Sequence, residues 1–354
     1  MIRTALPPNK TATYVLKRWK TVYVSVPKAA CTSLKWLVAD LQQEDPEHFY
    51  RAMSRETGRQ MTIHHRARWQ RTPMLTELSD EELAEISPDN GWFVFAVVRH
   101  PSARLWSGWQ SKFLLREPHF VAHYPEAPWP RVPETTSEVV EDFQTFVRTL
   151  EQEPEQPIFH DRHFRSQSRL LRTDKVPYSR VYQTAEFGEL MRDLEAHLRP
   201  FGLEEMPQLR RSNETPLLPV PALFSPEVAA TIKHQYEADF AQFGYDDVVP
   251  EALARTEEYS PEQLAEVGRL IERAERIGDL YKLNLEARKR ERVLARELRA
   301  ARRAASPSPS PSPSPSPSPS TVQRVRGKAG RVVRAGVQRV RRHDGDASGG
   351  VSGS

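Results

Sequence analysis

Two stretches of this chain repeat one order (apolar strand, short loop, helix), and that order restricts the fold more than any other feature of the sequence. Residues 20–25 (KTVYVS) are a β-branched and aromatic run of the kind that fills a buried strand. The loop PKAACTS follows, and Leu34 to Leu41 then carry helical apolar spacing. Residues 91–98 (GWFVFAVV) are the most hydrophobic run in the chain, and their unbroken apolarity suits a central parallel strand covered on both faces. Arg99-His100-Pro101 ends that run, and residues 102–113 read as a second helix. Further helices are expected over 79–86, 139–150, 187–198 and 226–243, the last closed by Gly244, with a short strand over 179–183. Strands alternating with helices predict an α/β fold, a three-layer α/β/α sandwich with a central parallel sheet.

Charge divides the chain. Residues 261–354 carry 20 Lys/Arg against 10 Asp/Glu, which leaves 31 against 37 for residues 1–260. The front is therefore mildly acidic, and any anion site in it must be local. A domain over 1–255 is expected, its core at about 20–250. A long charged helix over 256–305 follows, with apolar residues from Leu264 to Leu285 in a stripe that would allow a coiled coil and a homo-oligomer. Residues 306–320 are a Ser-Pro repeat, an extended spacer, and 321–354 begin with a basic run and end in Gly and Ser, a disordered tail. The basic run suits peripheral contact with an anionic membrane or polymer, and nothing in it marks a specific nucleic-acid reader. The single cysteine, Cys31, excludes an intramolecular disulfide and a Cys-based zinc cluster. No apolar run is long enough for a transmembrane helix and no signal peptide is evident, so a cytoplasmic, at most membrane-peripheral, location is expected.

The chemistry is carried by the loops after the two strands. A helix N-terminus offers free N–H groups and the positive end of a dipole, and the small residues Ala29, Ala30, Cys31, Thr32 and Ser33 let a phosphate approach the backbone. Thr32 and Ser33 add hydroxyls and Lys28 a mobile charge. The loop lacks the glycines and the Lys-[ST] pair of a nucleotide kinase's GxxxxGK[ST]. Arg99 stands at the end of the strongest strand, where ligands of open α/β sheets collect, and Arg104 and Ser107 share a helical face suited to a second phosphate.

Together, PKAACTS and RHPSARLWS resemble the 5′-phosphosulfate loop and the 3′-phosphate motif of sulfotransferases that use 3′-phosphoadenosine-5′-phosphosulfate (PAPS), most of all the Golgi carbohydrate sulfotransferases and their bacterial relatives. Residues 163–171 (HFRSQSRLL), 182–194 (YQTAEFGELMRDL) and 236–245 (YEADFAQFGY) resemble three later segments of that family in order and spacing. The resemblance implies a P-loop-like sulfotransferase fold and transfer of a sulfuryl group from PAPS to a carbohydrate hydroxyl, with 3′,5′-ADP released and no metal required. It implies that Lys28 meets the 5′-phosphosulfate and its bridging oxygen, that the backbone and hydroxyls from Cys31 to Ser33 hold the 5′-phosphate, and that Arg99 and Ser107 bind the 3′-phosphate. The chain departs from the family at Phe164 after His163, at Ser166 where the family often has proline, and at Ala185 with the inverted Glu186-Phe187 order, which leaves Glu186 without a role. The other readings are a P-loop-type kinase and a degenerate transferase fold acting as a scaffold.

A base for the acceptor hydroxyl needs to titrate near neutrality, which favours histidine. His64 in residues 61–69 (MTIHHRARW) is the first candidate and His65 the second, with His163 and His160 as competitors. Arg66, Arg68 and Trp69 are expected to line an acceptor groove, with His163 beside them. Trp106 and Trp109 read as core, and Cys31 as a small loop residue rather than a nucleophile.

Overall fold

The computed structural model describes residues 12–49, 61–209, 215–246 and 256–305; the Ser-Pro repeat, the basic tail and the first eleven residues lie outside them. Four strands form one sheet: β1 (Thr13–Leu16), β2 (Thr21–Val24), β3 (Phe93–Val98) and β4 (Arg180–Gln183), in that spatial order. β2, β3 and β4 run parallel, as expected, with Val22 opposite Val94 and Ala96 opposite Val181. β1 pairs antiparallel with β2, Tyr14 opposite Tyr23, so the sheet is mixed rather than wholly parallel. Four residues ahead of a basic turn carry too little pattern to read as a strand, and the turn at Lys17–Trp19, closed by Lys20 at φ 41°, folds them back along the sheet edge.

Alternation along the strands supplies both faces of the sheet. Tyr14, Tyr23, Phe95, Val97 and Tyr182 face one side. There α1 (Cys31–Leu41) covers them with Leu34, Leu37, Val38 and Leu41. Val15, Val22, Val24, Val94, Ala96 and Val98 face the other, covered by Leu75, Leu78, Leu83 and Ile86. Leu83 lies on α2 (Asp80–Glu85), whose N-cap Ser79 and Glu82 bond reciprocally in a capping box.

A third core gathers the remaining helices beside the sheet. α3 (Pro101–Trp109) continues into one π-helical turn over Gln110–Leu114, where the sequence predicts unbroken α-helix. α4 (Pro118–His123), α5 (Thr136–Gln152) and α6 (Gln167–Leu171) follow, and α7 (Phe187–Leu198) packs Leu190, Leu194 and Leu198 on the sheet face that α1 covers. Trp106 and Trp109 are buried against Phe143 of α5, as core residues. The helix expected over 226–243 is two helices, α8 (Pro226–Gln235) and α9 (Glu237–Phe243). Between them Tyr236 leaves helical geometry, and its hydroxyl donates to the Phe164 carbonyl at 2.6 Å. Gly244 at φ 64° closes α9 as the sequence indicates.

The long helix is present as α10 (Pro261–Ala305), but it does not begin a separate segment. Tyr259, Leu264, Val267 and Ile271 are buried in the third core, and Arg116 bonds Glu275, so the main domain extends past the boundary expected near residue 255. Further along, Ile277, Leu280, Leu283, Val293 and Leu294 are exposed. No helix among the described residues is long and apolar enough to cross a membrane.

Candidate active site

The loop between β2 and α1 is built to offer its backbone outward. Lys28 and Ala30 both take left-handed geometry, φ 68° and 53°, without being glycine. Each such residue costs about 1–3 kcal/mol and persists where its surroundings enforce it, commonly at a ligand site. The enforcement is visible. Ala29 is fully buried in the core under the loop, and Arg104 donates from Nε to the Pro27 carbonyl at 3.0 Å. Ala30 caps α1 with no side-chain bond, so the first-turn N–H groups of Cys31, Thr32 and Ser33 have no side chain closing them off. Thr32 and Ser33 are buried and Cys31 half-buried at this turn.

Arg104 departs from its expected part. Its guanidinium is buried and also bonds the carbonyls of Arg165 and Arg162, both at 2.9 Å, so its donors are committed to bracing two loops rather than to a phosphate. Ser107 lies one helical turn on, buried in α3. Arg99 is fixed through its backbone. Its N–H donates to Gln167 Oε1 at 2.9 Å and its carbonyl accepts from Gln167 Nε2 at 2.8 Å. Asp239 in turn accepts from the backbone N–H groups of Gln167 and Ser168 at 2.7 and 2.8 Å, capping α6. One hydrogen-bonded chain thus joins RHP, HFRSQ and YEADF. It leaves the Arg99 guanidinium beside the loop, 3.4 Å from the Lys28 carbonyl.

His64 also reaches the loop. Its Nε2 lies 3.0 Å from Thr32 Oγ1 and its Nδ1 lies 2.8 Å from Lys35 Nζ. Burial, then the Lys35 charge, push its pKa down to about 2, so the ring is neutral. His65, next in sequence, is exposed.

Arg66 and Trp69, expected in an acceptor groove, are turned inward instead. Trp69 is buried 4.7 Å from the Tyr14 ring and donates its indole N–H to Ile63 O. Arg66 lies over Tyr14 and donates to the carbonyls of Thr72 and Pro73. Arg68 donates to His48 O at 2.6 Å. All three brace the turn that carries His64.

Sequence reasoning missed several groups that the fold brings to the loop. Lys35, buried one turn after Thr32, has its pKa lowered to about 8 by burial. Helical spacing from Thr32 was the available signal. Lys112 comes from the π turn, which shifts its register, and it pairs with Glu117 at 3.5 Å. Arg162 lies near Cys31 and keeps a buried Nε without a partner among the described residues. His163 is placed here too: its Nδ1 lies 2.6 Å from Asp161 Oδ1, and its ring stands edge-on to Phe120. Asp161, two residues before it, has no marker in the sequence. His160, by contrast, pairs with Glu155 on the surface.

Lys28, Lys35, Lys112, Arg99 and Arg162 therefore surround the first turn of α1, an arrangement fit for a ligand of high negative charge. Burial, then Lys112, lower the Lys28 pKa to about 8. Lys28 and Lys35 are thus mostly charged at pH 7 and lose their protons as pH rises through about 8. An anion held here is expected to bind at least about tenfold more weakly at pH 9.5 than at pH 7.5, measured with 3′,5′-ADP in buffers of equal ionic strength.

A profile of the sulfotransferase family matches residues 12–246, from the start of the sheet to the segment after α9. No curated protein and no solved structure matches the chain.

Proposed function

Because the chain belongs to the sulfotransferase family, an enzyme family that transfers sulfate, we propose that its donor is PAPS and its acceptor a carbohydrate hydroxyl. The observation that carries the donor is the cationic loop itself: open first-turn N–H groups, two left-handed residues and five cations converge on one small volume. PAPS needs two anion subsites. Lys28 and the 29–33 backbone and hydroxyls are suited to the 5′-phosphosulfate. Arg99, held by Gln167 at the end of β3, and Ser107 are suited to the 3′-phosphate. Each residue's task follows from its setting. The first-turn N–H groups and Thr32 orient the 5′-phosphate, and Lys28 meets the charge that grows on its oxygen as the bond to sulfur breaks.

A kinase reading gains nothing from the fold, because the loop supplies left-handed Lys28 and Ala30 where a Walker loop has glycines. The carbohydrate acceptor rests on the resemblance to carbohydrate sulfotransferases, and with Arg66 and Trp69 turned inward and Arg68 bonded to the His48 carbonyl, its groove must be formed by other residues. We propose too that the exposed apolar residues of α10 pair two copies of the chain, and that the basic tail lies on an anionic surface. Labelled sulfate is expected to pass from PAPS to at least one member of a panel of soluble polysaccharides. Label that reaches none of them, with PAPS still consumed, would turn the search to non-carbohydrate hydroxyls.

A further inference from the structure

The two histidines at the loop are held in opposite hydrogen-bonding states. An ammonium has only donors, so Lys35 Nζ must donate to His64 Nδ1. The neutral His64 ring then carries its proton on Nε2 and donates it to Thr32 Oγ1. Both nitrogens are occupied, and no lone pair faces an acceptor. His163 is the reverse. Asp161 Oδ1 accepts both the His163 backbone N–H at 2.8 Å and the ring Nδ1–H at 2.6 Å. That fixes the proton on Nδ1 and leaves the Nε2 lone pair without a partner among the described residues.

The position of His163 is fixed as firmly as its tautomer. Its backbone packs on α3 at Gly108, where an added Cβ would lie 3.5 Å from the His163 carbonyl and 3.2 Å from the Phe164 ring. Its ring abuts Phe120 of α4. The charged and titratable groups that face it are Asp161 on its own segment, Lys28 on the loop, and Lys112 on the π turn, itself paired with Glu117. His64 feels its charge in turn, which places both rings at one centre.

Resting on the reading of this site as a PAPS-dependent transferase, we infer that His163, oriented by Asp161, takes the proton of the acceptor hydroxyl, and that His64 instead orients the Thr32 hydroxyl toward the 5′-phosphate. In the step, the acceptor O–H breaks and its proton goes to His163 Nε2. The acceptor oxygen bonds sulfur, and the sulfur–oxygen bond to the 5′-phosphate breaks. The electron pair of that bond leaves on 3′,5′-ADP, where Lys28 meets it. Burial holds the His163 proton affinity down in the ligand-free protein against the pull of Asp161. An anion beside Lys28 and Lys112 offsets their charge and raises it again.

The test uses the full chain with PAPS alone, water serving as acceptor, and reads the release of 3′,5′-ADP together with the nitrogen NMR signals of the histidine rings. His163→Gln is expected to lower release by at least about 100-fold, the usual range for loss of a general base, while 3′,5′-ADP binding stays within about threefold. His64→Gln is expected to weaken 3′,5′-ADP binding more than it lowers the rate at saturating PAPS. The NMR signals should show the proton on Nδ1 of His163 and on Nε2 of His64, and Asp161→Asn should redistribute the first without touching the second. Reversed tautomers would overturn the assignment, as would release abolished in His64→Gln and unchanged in His163→Gln, and either result leaves the transferase reading standing. Wild-type protein that binds no 3′,5′-ADP defeats that reading first, and the assignment with it.

Discussion

Replacing Lys28 with methionine is expected to lower sulfate transfer from PAPS by about 10²–10³-fold, the usual loss when one preorganised group is removed from a developing charge. Methionine keeps an unbranched side chain, one atom shorter, and removes the ammonium. The loop should keep its shape, because Ala29 anchors it in the core and Arg104 holds the Pro27 carbonyl. Binding of 3′,5′-ADP is expected to weaken by far less than the rate falls, since the first-turn N–H groups, Lys35 and Arg99 remain. The split separates a group that meets charge in the transition state from one that only holds the ligand. Equal losses in binding and rate would reduce Lys28 to a binding residue. Single-turnover rates beside calorimetric affinities make the comparison.

The largest loss of stability is expected away from the loop, at Asp239. Its carboxylate is fully buried, accepts the two N-terminal N–H groups of α6, and lies near the buried Arg104 guanidinium. Asp239→Ala strands those donors and removes a countercharge from a buried cation, a loss of about 3–5 kcal/mol. For a domain of this size that lowers Tm by about 10 °C or more. Asp239→Asn keeps one acceptor oxygen and should lose less. Because Gln167 pins Arg99, the surviving folded alanine variant should also bind 3′,5′-ADP more weakly. Calorimetric melting of both variants, with and without 3′,5′-ADP, reads the two effects together. An alanine variant that melts with the wild type would mean that the chain from Asp239 to Arg99 carries no strain of the fold.

The parts legible in the sequence are those where one local signal decides the structure. β2 and β3 are continuous apolar runs, and α2 falls within the helix expected over 79–86. The loop from Lys28 to Ser33 stands out because small residues and a lysine fall between a strand and a helix. What escaped depends on distant partners. β1 is four residues long, and missing it hid Tyr14, the ring against which Arg66 and Trp69 pack. A basic and aromatic run without its partner reads as a surface groove. The π turn that carries Lys112 and the break at Tyr236 likewise have no local marker, since each is set by packing against another segment. Asp161 and His163 are two residues apart, a spacing that means little until the turn between them closes.

A site for a nucleotide with both 3′- and 5′-phosphate groups is read by calorimetric titration of 3′,5′-ADP beside 5′-AMP, repeated with Arg99→Ala. The predicted result is micromolar binding of 3′,5′-ADP, far weaker binding of 5′-AMP, and loss of that difference in the variant. Absence of both binding heat and thermal stabilisation with 3′,5′-ADP would mean that the loop and Arg99 form no such site.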